Sequence, residues 1–210
     1  VQVITTEFLK DVGARDNAGV LAYATNTEVG GPRGNFSGAQ IGSVVNEADN
    51  FLNPNANTRV RGLAEADNTR NYFRTDVPWD GYAVDRVDLQ RGPNAIMFGL
   101  GSPAGVVNAS LKSAVMDSFG EVELIFDEHG TYRGSLDLNH EVMEDELAVR
   151  IAGLYDQKKY QQDPAYEDDH RLYATFTYKP EFFNRGEITT TLKANIEVGD
   201  IDSNHPRFVT

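Results

Sequence analysis

Between Phe119 and Val198 the chain changes hydrophobic character at nearly every second residue, and that period belongs to strands rather than helices. Val122, Leu124 and Phe126 alternate with Glu121, Glu123 and Asp127, and Leu136 and Leu138 with Ser135, Asp137 and Asn139. Leu147, Val149, Ile151 and Tyr155 oppose Arg150 and Asp156; Leu172, Ala174, Phe176 and Tyr178 oppose Arg171, Thr175, Thr177 and Lys179. A last run sets Ile188, Leu192, Ala194, Ile196 and Val198 against Glu187, Thr189, Thr191, Lys193, Asn195 and Glu197. About five strands, each with one apolar and one polar face, are expected. Such strands suit two architectures, a sheet on a soluble core with its apolar face inward or an outer-membrane barrel with its apolar face toward lipid. Periodicity does not separate them.

Connections bear on the choice. Met143–Glu146 and Glu181–Arg185 read as tight turns, whereas Lys158–Asp169 is longer and heavily charged, and short turns at one end with longer loops at the other are a barrel habit. Tyr155, Tyr178, Phe182 and Phe183 fall near strand ends, where an aromatic girdle or ordinary packing would place them. Five strands do not close a barrel around a domain, and an open edge is not tolerated in hydrocarbon. The expectation is an N-terminal portion of a longer protein, ending near His205-Pro206-Arg207 in a third external loop.

The first half has a different texture. Residues 1–118 carry 10 basic and 13 acidic side chains, leaving 9 and 19 of the chain's 19 and 32 for residues 119–210. A formal charge of -13 argues against a nucleic-acid partner, because binding a polyphosphate backbone needs a basic surface. No cysteine means no disulfide, thiolate metal site or thiol nucleophile. No apolar run is long enough for a transmembrane helix, and VQVITTEFLK lacks the basic and apolar regions of a signal peptide. The low mean hydropathy of -0.44 leaves a β-barrel open.

Thr5 or Thr6 can cap a short helix through Lys10 with Gly13 at its end, and a second helix is expected from about Asp16. Gly-, Asn- and Pro-rich stretches then link short strands such as Thr58–Arg61 and Arg86–Gln90. The densest run, Val84–Ala114, has a strand ending at Arg91-Gly92-Pro93, an apolar group at Ile96–Phe98, then Gly99, Gly101 and Gly105 ahead of a second strand at Val106-Val107. A nucleotide site is disfavoured here: the glycine spacing is G-x-G-x-x-x-G, no amphipathic helix follows, and no Lys-Ser/Thr ending is present.

Those residues carry a resemblance. Asp85-Arg86-Val87-Asp88 through Arg91-Gly92-Pro93, Phe98-Gly99, Ser102-Pro103-Ala104-Gly105 and Val106-Val107-Asn108 is similar to the plug signature of TonB-dependent outer-membrane receptors, in particular the siderophore branch. Val60-Arg61-Gly62-Leu63 resembles the family's I-R-G-F, and the opening strand-helix-helix order matches the usual start of a plug. Ala104 stands where Gly is commoner, Ala109-Ser110-Leu111-Lys112 follows the usual N-x-x-T-K ending only loosely, and no TonB box is found.

The resemblance implies an α+β plug over 1–117, followed over 118–210 by antiparallel strands of an incomplete transmembrane β-barrel. It implies a ligand-gated importer of the Gram-negative outer membrane, with the plug inside the barrel and exposed to periplasm. Its partners would be a ferric siderophore or similar chelate, TonB and outer-membrane lipid. It implies no cofactor, resident metal or catalysis. Independently, His129, His140, His170 and His205 share no ligand spacing, no hydrolase motif occurs, and Asp168-Asp169-His170 reads as a charged loop tip.

By the same resemblance the ligand-facing loops are Gly30–Ser37, Asn68–Trp79 and Phe98–Gly105. Arg33, Arg70, Tyr72, Phe73, Arg74 and Trp79 are the ligand-binding candidates, a mixture of guanidinium and aromatic surface suited to the anionic oxygens of a ferric chelate. Arg61, Gly62, Arg91, Gly92, Pro93, Gly99 and Gly105 are assigned to the plug's structure, the arginines to pairs with barrel carboxylates beyond Thr210. Two alternatives stay open: a receptor of the same fold for a glycan, cobalamin or another nutrient, or for signalling, and a soluble β-rich protein.

Overall fold

A computed structural model of the chain describes residues 2–29, 58–62, 66–92, 102–161, 163–183 and 189–204. The chain divides into two compact units, Val1–Leu111 and Lys112–Thr210. Residues 112–117, which the sequence places with the first half, thus go with the second.

The first unit begins with strand β1 (Gln2–Thr5) and helix α1 (Thr6–Val12). Thr5 caps α1, accepting from the Phe8 amide, and Gly13 ends it at φ 67°, a left-handed conformation that donates back to the Leu9 and Lys10 carbonyls. Helix α2 (Asn17–Tyr23) starts at Asp16, whose carboxylate accepts from the Gly19 amide at 2.7 Å. Strands β2 (Thr27–Val29) and β3 (Thr58–Val60) pair antiparallel. β4 (Asp67–Arg70), β5 (Phe73–Arg74), β6 (Val84–Arg91) and β7 (Gly105–Leu111) join β1 in a mixed sheet of order β1-β6-β7-β4-β5, with β4 and β7 parallel. Val87 and Leu89 point to one face of β6, into a core with Ile4, Leu9, Val20 and Leu21. Arg86, Asp88 and Gln90 take the other face, by the alternation of a strand.

Gly105 is where close approach decides the residue. Its φ is +113°, and a Cβ there would lie 1.9 Å from the Gln90 carbonyl oxygen. The β6–β7 pairing at Arg91 and Gly105 therefore requires glycine.

The second unit is an antiparallel meander of β8 (Phe119–Phe126), β9 (Tyr132–Met143), β10 (Leu147–Lys159), β11 (Tyr166–Tyr178) and β12 (Leu192–Asn204), in the order β12-β11-β10-β9-β8. Five strands were expected, and five form. The connections differ from expectation. Half of Lys158–Asp169 is strand, because β10 runs through Lys159 and β11 resumes at Tyr166, with Lys158 and Glu167 opposite each other and paired at 3.2 Å. Residues 179–183 leave β11 at the same end of the meander as the short 144–146 turn. The Glu146 backbone and carboxylate accept from the Lys179 and Glu181 amides, so residues 179–181 lie against the short turn.

Burial separates the two architectures that periodicity leaves tied. On β11 Asp169, Arg171, Tyr173, Thr175 and Thr177 are buried, while His170, Leu172 and Phe176 between them are exposed. Tyr173 is fully buried and Leu172 is 51% exposed. A soluble sheet hides the apolar face; this one hides the polar face. The polar face is also internally neutralised. Arg133 meets Asp156 at 2.8 Å, and Arg171 grips Asp169 through two 2.6 Å hydrogen bonds.

The apolar face ends in aromatic rings. Phe126, Tyr132, Tyr155 and His170 form a row across β8 to β11, with successive ring centroids 6.3, 5.5 and 4.3 Å apart. Tyr178 and the exposed Phe182 and Phe183 lie at the opposite end of β11. From His170 to Tyr178 the strand rises about 26 Å at roughly 3.3 Å per residue. A tilt of about 40° reduces this to about 20 Å, close to the roughly 25 Å apolar band of an outer-membrane barrel. The barrel is not closed by these five strands; β8 and β12 are the sheet edges.

Candidate functional site

Of the described ligand candidates, Arg70, Tyr72, Phe73 and Arg74, but not Trp79, lie on the β4–β5 hairpin. Its two turn residues, Asn71 and Tyr72, have φ of 48° and 67°, so the chain reverses through a turn usually built from Asn-Gly. Phe73 is 79% exposed and the Arg74 side chain 70%, with Asp67 only loosely paired to it at 3.7 Å. A protruding ring beside a cation can cover a flat chelate and meet its anionic oxygens.

Tyr72 is less free, at 41% exposed. Its hydroxyl lies 3.4 Å from the Asp88 carboxylate and accepts from the Gln90 amide at 3.4 Å. Burial first, then the neighbouring Asp88 charge, pushes its phenol above the ordinary value of 10.0, so the ring stays neutral near pH 7. Arg70 turns inward and donates to the Pro78 carbonyl at 2.9 Å. Trp79, 3% exposed, packs in the hydrophobic core of the first unit. The structure therefore brings Tyr72, Phe73 and Arg74 together at the surface and gives Arg70 and Trp79 packing positions. Arg33, Pro93 and Gly99 lie outside the described residues, as do the loop Gly30–Ser37 and the first half of Phe98–Gly105, residues 98–101.

Arg61 and Gly62 form a left-handed turn after β3, at φ 57° and 67°, with the Arg61 amide bonded to the Asn26 carbonyl. Gly92 sits at φ 95°. Arg91 finds partners within its own unit: it donates to the Gln2 side chain at 2.6 Å and to the Thr25 carbonyl at 2.7 Å. It thereby ties β1 and the α2–β2 connection to the end of β6.

Sequence reasoning missed a second polar cluster, within the second unit. Residues 112–118 run as a strap whose backbone is held by side chains of the sheet's polar face. Tyr173 donates to the Lys112 carbonyl at 2.6 Å, Arg150 to Ser113 at 3.1 Å and Thr177 to Ala114 at 2.7 Å. Asn139 donates to the Val115 and Asp117 carbonyls and accepts from the Val115 amide. At its head, Asp137 accepts from Lys112 at 2.7 Å and from Arg150 at 2.8 and 2.7 Å. No local motif signals this arrangement, because it joins residues far apart in sequence. Among the described residues no group of three or more His, Cys, Asp or Glu could hold a metal ion.

No protein-family model matches the chain. The ferrichrome outer membrane transporter/phage receptor of Escherichia coli K12 is 25% identical over 133 residues, covering 58% of this chain and 18% of that protein. The ferrioxamine B receptor of Salmonella typhimurium SL1344 is 23% identical over 144 residues, covering 68% and 20%. Among solved structures, the ferripyoverdine receptor of the Pseudomonas aeruginosa outer membrane superposes with a TM-score of 0.72 over 95% of this chain and 25% of that one, at 17% identity. In sequence and in fold the chain is similar to the TonB-dependent siderophore receptors. The ferric preacinetobactin receptor of Acinetobacter baumannii agrees, with a TM-score of 0.69, 19% identity and coverage of 95% and 27%. The mixed sheet and the meander correspond to these receptors' plug and barrel strands. Relatives of this kind are transport receptors and not enzymes. The chain spans about a fifth of the length of these two curated relatives.

Proposed function

We propose that the chain is the plug and first barrel strands of a ligand-gated outer-membrane transporter for a ferric siderophore or similar chelate, energised through TonB. The observation that carries this reading is the inverted burial of β9 and β11, apolar outward and polar inward, in the unit that follows a plug-like α+β unit. In it, Phe73 and Arg74 face the chelate with Tyr72 beneath them, and Arg33 is a further candidate cation for the same ligand. The import cycle involves no covalent chemistry. The chelate is held by rings and guanidinium groups, and energy from the inner membrane remodels the plug.

The test is titration of the full-length receptor in detergent with iron(III) complexes of hydroxamate and catecholate siderophores. Saturable binding to at least one is expected. Phe73→Ala, Arg74→Ala and Arg33→Ala should each weaken it without unfolding the plug. Absence of binding to every chelate offered would reject the substrate class, and unchanged affinity in all three variants would reject the site.

A further inference from the structure

The motif strands carry two polar residues that the proposed site does not itself use. Asp88 on β6 and Asn108 on β7 stand directly opposite each other in the sheet register, 4% and 0% exposed. Polar side chains so deep in a small domain are costly unless every group is bonded. Their bonds converge on the hairpin. The Asn108 carboxamide oxygen accepts from the Tyr72 amide at 2.7 Å and from the Thr69 hydroxyl at 3.0 Å. Its NH2 donates to Ser110 at 3.1 Å and points to Asp88 at 3.5 Å. Asp88 in turn receives the Tyr72 hydroxyl and the Arg86 guanidinium.

Tyr72 needs such restraint. A bulky L-residue at φ 67° is strained, and the position is one that glycine fills without penalty. Left alone, the Asn71–Tyr72 turn would relax, and the direction in which Phe73 and Arg74 project would change with it.

We infer that Asn108, backed by Asp88, is a positioning residue for the ligand-facing tip: it holds the Tyr72 turn in its left-handed conformation and thereby aims Phe73 and Arg74. The inference rests on the proposed reading that this tip meets the chelate. Its structural part is testable without any ligand.

The experiment uses the full-length receptor in detergent, with amide hydrogen exchange on the wild type, Asn108→Ala, and Asn108→Ala combined with Tyr72→Gly. Losing a buried hydrogen bond should speed exchange across residues 69–74 of Asn108→Ala by roughly tenfold or more, with a smaller change at Val87 and Leu89. Glycine needs no restraint at φ 67°, so the double variant should recover most of the protection. Equal loosening of the hairpin and β6, no change in the hairpin, or no recovery in the double variant would each overturn the positioning role. A parallel titration with the iron(III) complexes of ferrichrome and ferrioxamine B reads the other half. If Asn108→Ala loosens the hairpin while Phe73→Ala and Arg74→Ala leave chelate binding intact, the positioning role stands and the ligand-facing assignment fails.

Discussion

Asp137 is the residue whose loss should do most to the second unit. Its carboxylate, 8% exposed, is the shared partner of Lys112 and Arg150, whose side chains are 10% and 12% exposed. Asp137→Ala leaves two buried like charges with no counter-ion, and breaking a buried pair this way costs about 3–5 kcal/mol. Arg150 keeps the Ser113 carbonyl at 3.1 Å and lies over the Phe119 ring at 5.1 Å, so the lower end, about 3 kcal/mol, applies. If that loss falls on the strap, its local opening rises roughly a hundredfold, at about 1.4 kcal/mol per factor of ten. The Val115 amide, bonded to Asn139 at 3.1 Å, is the reporter. Hydrogen exchange on the full-length receptor should show it exchanging roughly a hundredfold faster in Asp137→Ala, with the central β10–β11 amides still slow. Adding Lys112→Met should recover part of the loss by removing one unpaired charge. Asp156→Asn, which removes the carboxylate charge facing Arg133 at 2.8 Å without touching the strap, is the control. Strap exchange within about threefold of wild type in Asp137→Ala, a difference under roughly 0.7 kcal/mol, would refute the assignment of the Lys112–Asp137–Arg150 cluster as its anchor.

Other expectations follow from single contacts. Gly105→Ala should lower the melting temperature of the plug sharply, by upward of about 2 kcal/mol in stability, since the Gln90 carbonyl occupies the place of the new methyl; an unchanged melt would contradict the close approach. Asp16→Ala should cost about 1 kcal/mol through loss of the α2 cap, read as faster exchange at the Gly19 amide, and equal exchange would remove the cap's role. Arg91→Ala should free β1 at the Gln2 contact, making the N-terminal segment more susceptible to protease than in wild type; equal cleavage counts against the tie. Tyr72, with its phenol raised, binds its proton more tightly folded than unfolded. The stability it contributes is therefore intact below about pH 10 and lost as pH rises beyond it. Phenolate absorbance should show wild type retaining a late-ionising tyrosine that Tyr72→Phe lacks.

Local chemistry was readable in the sequence, and nonlocal chemistry was not. Thr5, Gly13 and Asp16 mark the ends of α1 and α2 because capping involves residues within one turn. The five alternating strands were legible for the same reason, but the face each would bury was not, since alternation is symmetric until something covers one side. Loop lengths misled because charged residues at the ends of β10 and β11 pair across the ladder and extend it. Trp79 looked like ligand surface because aromatic and cationic residues surround it in sequence, yet the fold turns it into the core. The Asn71–Tyr72 turn shows only half of the Asn-Gly signal, with tyrosine where glycine is usual. Its left-handed tyrosine is held by Asn108, 36 residues away, and only the β4–β7 and β6–β7 pairings bring those residues together.

Which side of the sheet meets lipid is tested directly by a labelling scan of β12. Single cysteines at positions 193–198 of the full-length receptor, spin-labelled and reconstituted in bilayers, report collision with oxygen, which concentrates in lipid, and with a water-soluble nickel chelate. The expected result is a period of two, with 194, 196 and 198 open to oxygen and shielded from nickel, and with oxygen access falling at 193, 195 and 197. The opposite phase, or no alternation, would contradict a barrel wall with its apolar face outward.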